Sequence, residues 1–383
     1  MIDIDNPGSS LGRHHIPLHE NDAELVAAFV QLFADFRDRE LIRNLDVAVE
    51  QLSVGEHSFP MTLNDACQVP NCYICCPSTA YIDYALDELR NFEAHPFLSG
   101  SLRKLIRACQ PLLSASGLDH QVQVNNWLYS TNPVPELERN VIRTMRDDLI
   151  ERFPDRAIII RSLNEIADAG TIAALKAEGF DMLASRQIYI FTGDNLTARH
   201  RRYLSVDSRL IETTPYERVD GADFTAEDFE RCETLYNMLY LEKYTPLNPQ
   251  YSSAYIREMH ARGIMKLVGL RNTDGVLDGV TGLFENGATL TQPIVGYDTS
   301  RPQELGLYRM VMMIAQQHAI ANGRFFNMSA GAAEFKRNRG AVPAIEYSAV
   351  FNRHLGRRKR AATRLLRDIL RLVGIPMLRR FEL

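Results

Sequence analysis

Residues 288–350 read ATLTQPIVGYDTSRPQELGLYRMVMMIAQQHAIANGRFFNMSAGAAEFKRNRGAVPAIEYSAV, and the order of elements in this stretch decides the fold. Leu290, Ile294, Val295 and Tyr297, with Thr289 and Thr291, give 288–298 the β-branched and aromatic content of a strand. Pro293 has no N–H to donate to a ladder, so it predicts a bulge or a splayed edge inside that strand. Gln303 to Tyr308 then opens a helix. Its inward positions Leu307, Met310, Val311, Ile314, His318 and Ala321 approximate a 3.6-residue period, stopped by Asn322-Gly323. Residues 325–328 read as the next strand, 332–340 as a short helix closed by Gly340, and 345–351 as a further strand. A turn that leaves backbone N–H groups free at a helix N-terminus is an anion site.

This order resembles the GNAT superfamily of acyl-CoA N-acyltransferases. Gln303, Gly306 and Tyr308 fall on the three fixed positions of that family's pyrophosphate loop, Gln/Arg-x-x-Gly-x-Gly/Ala, and the first two agree. Ala332, Phe335 and Gly340 agree with the family's later helix, whereas Lys336 stands where many members carry a tyrosine proposed to protonate the leaving thiolate. The resemblance implies acyl-CoA as co-substrate, held by Gln303, Glu304, Leu305, Gly306, Leu307 and Tyr308. It also implies that the splayed-strand backbone at Val295, Gly296 and Tyr297 polarises the thioester carbonyl. Transfer to an amine needs a group to take the amine's proton and one to protonate the thiolate. Glu285, at a strand end, and Asp298, at the mouth of the loop, are the candidates for the first task. Lys336 is the candidate for the thiolate, with a solvated lysine as the bland alternative.

At 383 residues the length allows two domains, and the composition is that of a globular protein. The formal charge of −5 hides an asymmetry: from Arg353 onward ten Lys/Arg face only Asp368 and Glu382, so the body is acidic and the tail basic. No apolar run approaches the ~18 residues of a membrane span, and 1–6 lacks the apolar core of a signal peptide. These features predict a cytoplasmic protein.

The first half repeats the pattern in outline. A strand over 122–129, a helix opened by Pro133, a strand over 157–161, a helix ending at Gly179 and a strand over 187–192 follow in order. No glycine lies in 133–138, so this copy lacks the loop that approaches a phosphate. The expected architecture is α/β (α+β), two tandem GNAT-like folds with mixed, mostly antiparallel sheets flanked by helices, and a basic C-terminal helix. The boundaries are a loose arm over 1–20, a degenerate GNAT-like domain over 21–195, a GNAT domain with the acyl-CoA loop over 205–352, and a basic amphipathic tail over 353–383. Within the second domain, 210–219 reads as a strand, and hairpin turns at Asp274-Gly275 and Asn286-Gly287 join a meander. Such tandem folds look like the Fem-type aminoacyl transferases and their relatives with a BioF-associated acetyltransferase-like domain.

Cys67, Cys72 and Cys75 have the spacing of a plant-type [2Fe–2S] loop. The apolar neighbours Tyr73, Ile74 and Cys76 favour a buried strand instead, and no metal is expected. Tyr236, Tyr240, Lys243 and Tyr244 form a polar aromatic cluster suited to an acceptor pocket, and equally to a packed helix interface. In the tail, Arg360, Arg364, Arg367 and Arg371 share one helical face beside Leu365, Leu366, Ile369, Leu370, Leu372 and Val373. A basic amphipathic helix suits an anionic membrane surface, so the protein is also expected peripherally on the inner face of the membrane. Docking of this helix on the acidic body is the alternative. No aromatic side chain interleaves the arginines, which argues against nucleic acid. The function expected is N-acyl transfer from acyl-CoA to a primary amine, with a lipidic amine such as a sphingoid base as acceptor, similar to the bacterial ceramide synthases. A Fem-like transferase using aminoacyl-tRNA and a non-catalytic binding protein are the alternatives.

Overall fold

The computed structural model describes residues 22–65, 71–89 and 96–382; the expected arm at 1–20 and Cys67 lie outside the described residues. The strands are β1 (Ala48–Val54), β2 (His57–Asn64), β3 (Gln121–Val124), β4 (Ala157–Asn164), β5 (Asp181–Phe191), β6 (Glu217–Asp220), β7 (Lys266–Arg271), β8 (Leu277–Asn286), β9 (Thr289–Tyr297), β10 (Phe325–Asn327) and β11 (Ala341–Phe351). The helices are α1 (Asp22–Asp35), α2 (Asp38–Leu41), α3 (Ala85–Glu88), α4 (Pro96–Ser116), α5 (Arg139–Arg152), α6 (Ala169–Ala177), α7 (Ala198–Thr213), α8 (Ala226–Asn237), α9 (Ser253–Ala261), α10 (Leu307–Ala321), α11 (Ala333–Arg337), α12 (Arg357–Ile369) and α13 (Ile375–Phe381).

All strands join one 11-stranded sheet in the order β1-β2-β3-β4-β11-β5-β10-β9-β8-β7-β6. Each half contains one parallel pair joined by a crossover helix: β3 and β4 through α5, β9 and β10 through α10. The halves then exchange strands. β11, from the end of the chain, lies antiparallel between β4 and β5, and β5, from the first half, carries β10 on its other edge. The two copies therefore form one sheet through each other's last strands.

Side chains alternate across the sheet. Val295 packs with Met310, Val311 and Ile314 of α10, whereas its neighbour Ile294 packs with Cys232, Leu235 and Tyr236 of α8. In the first half, Ile158 and Ile160 pack with Ile142, Met145 and Leu149 of α5, whereas Ile159 lies on the other face with Leu183, Val350 and Leu366. The crossover helices thus cover one face, and α8, α9, α4 and α12 cover the other. Threonine N-caps begin α7 and α8, with Thr197 accepting from the His200 amide and Thr225 from that of Asp228.

Four expectations change. Residues 210–219 are the end of α7 and the short β6, because the inward position of that helix is a charged Asp207 that conceals its apolar period. Tyr73–Cys76 is a buried turn rather than a strand. The strand expected over 122–129 ends at Val124, and the helix expected from Pro133 starts at Arg139. The tail is helical and docks on α4 and β5 through Ala362, Thr363 and Leu366, all buried, with Arg367 ion-paired to Asp181.

Candidate functional site

The strand β9 is where the sequence signal and the geometry meet. Phe284 of β8 pairs with Thr291 and Gly282 with Ile294, so three steps on β9 oppose two on β8, and the extra residue falls at Gln292-Pro293. β10 pairs with β9 only over Thr289–Thr291, before this bulge. Beyond it Met328 and Ser329 pair with Tyr189 of β5 and no longer with β9, so among the described residues the backbone of Val295, Gly296 and Tyr297 has no strand partner on the β10 side, a gap in the ladder. Gly296 is required by close approach rather than by torsion: a Cβ there would stand 2.7 Å from the Leu235 carbonyl carbon and 2.8 Å from the Tyr236 amide nitrogen of α8.

At the open end of β9 the chain turns through 298–306 into α10. Gln303, Glu304 and Leu305 form a single 3₁₀ turn, and Gly306 caps α10 in the left-handed region at φ 70°. The amides of Leu307, Tyr308 and Arg309 begin α10 and so have no intrahelical acceptor. A cation stands beside them. Arg309 donates to buried Asp207 at 2.8 Å, and Arg339 binds the other oxygen of Asp207 at 2.5 Å, so two guanidinium groups share one carboxylate next to the helix start. Positive charge and free amides are the two features that an anion site requires.

Asp298 does not face the gap. Ser300 binds one of its oxygens through both amide and hydroxyl, and Arg231 donates to the other at 2.6 Å. Burial raises its carboxyl, but these partners outweigh that and hold it below the usual range. Together with buried Asp278, which binds Arg301 at 3.0 Å, Asp298 anchors the loop. Glu285 lies at the other end of β8, where it pairs with Leu290. That is on the order of 20 Å from Tyr297 along β9. It is bound to His318 at 2.5 Å and to Arg324 at 2.9 Å, and these partners outweigh burial to keep its carboxyl low. Glu285 is at the strand end and Asp298 at the loop mouth, as their sequence positions indicate, and ion pairs hold both.

Lys336 is the contrasting case. Its side chain is buried, with the residue only 3% exposed. Nζ donates to the carbonyls of Ser329 at 3.2 Å and Ala330 at 2.7 Å, and it stands 5.8 Å from the centroid of the Tyr189 ring. Burial, with the Arg186 charge added, lowers its pKa to about 7. The segment that holds it is conformationally unusual: Ser329, Gly331 and Ala332 all have positive φ. Lys336 therefore sits at the end of β10, with its ammonium held by the 329–330 backbone over the Tyr189 ring.

Tyrosines cluster at the end of β9. Tyr308 contacts Tyr297 at 5.9 Å and Phe335 at 4.9 Å between ring centroids. Burial raises its hydroxyl well above the ordinary value, and Tyr240 and Tyr244 add to the effect. Tyr240 stacks on Tyr236 at 4.7 Å. Of the expected acceptor cluster, Tyr236 is core, Tyr240 is half-buried against it, and Lys243 and Tyr244 are exposed.

The corresponding gap in the first half is plugged by its own chain. After β3, residues 125–132 turn inward through positive φ at Asn125 and Leu128. Asn125, Asn126 and Asn132 are buried and hydrogen-bonded within the segment and to its neighbours, and Trp127 and Tyr129 pack on Phe284. Among the described residues no group of His, Cys, Asp or Glu is arranged to hold a metal; Cys72, Cys75 and Cys76 are buried and form no disulfide among those residues. The sequence reading missed the Asp207–Arg309–Arg339 cluster, whose members are far apart in the chain.

No family model and no curated protein matches the sequence. Among solved structures the chain is similar to L-PGS from Bacillus licheniformis, at 13% identity over 60% of this chain and 77% of that one, with a TM-score of 0.42. It is similar to the C-terminal domain of a putative lysylphosphatidylglycerol synthetase from Agrobacterium fabrum, at 10% identity over 91% and 96% of the two chains, with a TM-score of 0.49. A tandem GNAT protein from the clavulanic acid biosynthesis pathway is similar at 12% identity over 88% and 97%, with a TM-score of 0.36. Likenesses this distant bring no activity with them. The α/β fold with two GNAT-like halves in tandem stands on the strand order: a parallel pair, its crossover helix and an antiparallel closing strand, twice.

Proposed function

We propose that this protein is an N-acyltransferase that moves an acyl group from acyl-CoA to a primary amine by direct transfer across the gap between β9 and β10. The observation that carries the reading is the coincidence, at one end of β9, of a bulge-driven splay and a glycine-capped helix start flanked by Arg309. The pyrophosphate would lie on the amides of 307–309, and the thioester would enter beside Val295–Tyr297. The neutral amine attacks the thioester carbonyl, its C–N bond forms as the C–S bond breaks, and the thiolate takes a proton from Lys336. The proton released by the acylated amine restores Lys336 or passes to water, so the exchange balances. A lysine with a pKa about 7 can serve as acid and recover within one turnover.

The same proposal places the enzyme against an anionic membrane surface. No described helix is long and apolar enough to cross a membrane. The docked tail nonetheless leaves Leu365 and Leu372 exposed beside Arg364 and Arg371. Such contact suits a lipidic amine acceptor. Co-sedimentation with phosphatidylglycerol vesicles should be lost in the Arg364→Glu/Arg371→Glu variant.

Calorimetric titration with acetyl-CoA and palmitoyl-CoA, beside the Gly306→Glu variant, tests the donor. Glutamate there puts a carboxylate at the anion site and strains a left-handed residue, so thioester binding should vanish. Absence of binding to the wild type would sink the acyl-CoA reading and advance aminoacyl-tRNA as the donor.

A further inference from the structure

On the face of the sheet opposite α10 lies a cavity of about 220 Å³ that the transfer chemistry does not use. Its floor is the same-facing row Ile159, Leu183 and Val350, and its roof is Leu102 of α4 with Leu366 and Met377 from the tail helices. The row Glu346, Ser348 and Val350 of β11 lines it, a length of about 13 Å along the strand. The walls are mostly apolar, interrupted by Gln121 and Gln123 of β3 and by Ser185 and Ser348, and at one end Tyr84, Glu88, Arg186 and Glu346 converge.

The charges at that end are unequally occupied. The Arg186 guanidinium binds both oxygens of Glu346, at 3.0 and 3.2 Å, and also Ser130 and Thr131 at 2.9 Å each. Arg161 donates to the carbonyl of Ile74 at 2.6 Å and to that of Ser130 at 3.4 Å. Both arginines are therefore spent on groups already present. Glu88 is half-buried within reach of the Tyr84 hydroxyl and forms no ion pair among the described residues; burial raises its carboxyl. Glu346 is thus paired by Arg186, whereas Glu88 has the Tyr84 hydroxyl and the longer-range charge of Arg186. Arg186 also connects this end to the gap, since its charge acts on Tyr240 and on Lys336.

We infer that this cavity binds the acceptor, a primary amine on a single long aliphatic chain, with the chain along Ile159, Leu183 and Val350 and the ammonium on Glu88. This assignment rests on the amine-acceptor reading above and gives it a substrate class. The donor then approaches from the α10 face and the acceptor from the other, and they meet where β9 and β10 part. Glu88 takes the ammonium proton before attack, leaving the neutral amine. A fatty acyl chain is the competing occupant. It would bring no charge for Glu88, and as a free acid it would bring a second carboxylate.

Binding of dodecylamine, butylamine and dodecanoic acid, without any thioester, decides the matter. The wild type should bind dodecylamine and neither of the others measurably. Ala184→Phe and Cys109→Trp, which fill the cavity from β5 and from α4, should each weaken dodecylamine at least about tenfold. Two sites guard against one variant failing to fold, and each variant's unfolding midpoint is taken alongside. Glu88→Gln should weaken dodecylamine about tenfold while leaving dodecanol, bound through its chain alone, unchanged. Equal binding of dodecylamine by the wild type and both filled variants overturns the inference, as does tighter binding of dodecanoic acid than of the amine. Acyl-CoA affinity is read separately through Gly306. Thioester binding without amine binding removes this inference alone, and amine binding without thioester binding removes the donor assignment alone.

Discussion

Lys336 and Tyr189 meet at the end of β10, ammonium over ring, in a pocket that offers the lysine two carbonyls and no carboxylate. The lysine pKa of about 7 follows from that pocket, and it has a stability consequence. Between about 7 and the ordinary 10.5, the unfolded chain binds the proton that the folded chain has released. Stability should therefore rise with pH across that window and carry the full burial penalty below it. Lys336→Met should be more stable than the wild type near pH 6.5, with the difference shrinking by on the order of 1–3 kcal/mol toward pH 10. Urea unfolding at both pH values measures it.

The same substitution separates chemistry from binding. Lys336→Met should lower kcat for acyl transfer by about 10²-fold and leave acyl-CoA affinity unchanged. In the wild type kcat should fall as pH rises through the lysine pKa, because the acid form is lost. A profile unchanged in the variant would remove Lys336 from the proton transfer.

Asp207 holds two guanidinium groups beneath the helix start, and its side chain is almost wholly buried. Asp207→Ala should cost about 3–5 kcal/mol, because it strands Arg339, which is itself buried. Denaturant titration of the variant reads this directly.

Gly296→Ala puts a methyl group against the α8 backbone, which cannot swing aside as a side-chain end would. A loss of about 1–3 kcal/mol is expected, together with weaker thioester binding, as β9 is pushed toward the gap. Thermal unfolding and calorimetry on one preparation test both.

Acid unfolding should report on Glu178, far from the site. It binds Arg143, Arg139 and Arg146. The hydrogen bond from Arg143 leads in lowering its pKa to about 2, against burial. Its contribution is complete above the ordinary 4.5 and is lost as pH falls toward 2. Glu178→Gln should be less stable than the wild type at pH 6, and the two curves should converge through that window.

The bulge and the helix start were legible because their signals are local. Pro293 announces the bulge, Gly306 the left-handed cap, and the 3.6-residue period from Leu307 the helix that follows. The ion pairs of Glu285 and Asp298 were not, because a carboxylate's partners are set by the fold: His318, Arg324 and Arg231 reach them from other elements. Helix α7 was hidden by Asp207, a charge where periodicity expects an apolar side chain. Glu88 belongs to no motif, and only the turn after Cys72–Cys76 brings it under the tail helices. The strand exchange left no local trace at all, since β5 and β11 would read the same whichever edge they joined.

That exchange has a consequence for how the chain is made. When the ribosome has delivered residues up to Asn164, the edge of β4 is ready but its partner is not, because β11 begins at Ala341. The first half must wait, with a hydrogen-bonding edge open, until β11 emerges. A stop codon before Ala341 would thus leave the earlier-synthesised half incomplete, and cutting between the halves would yield two fragments that each need the other to close.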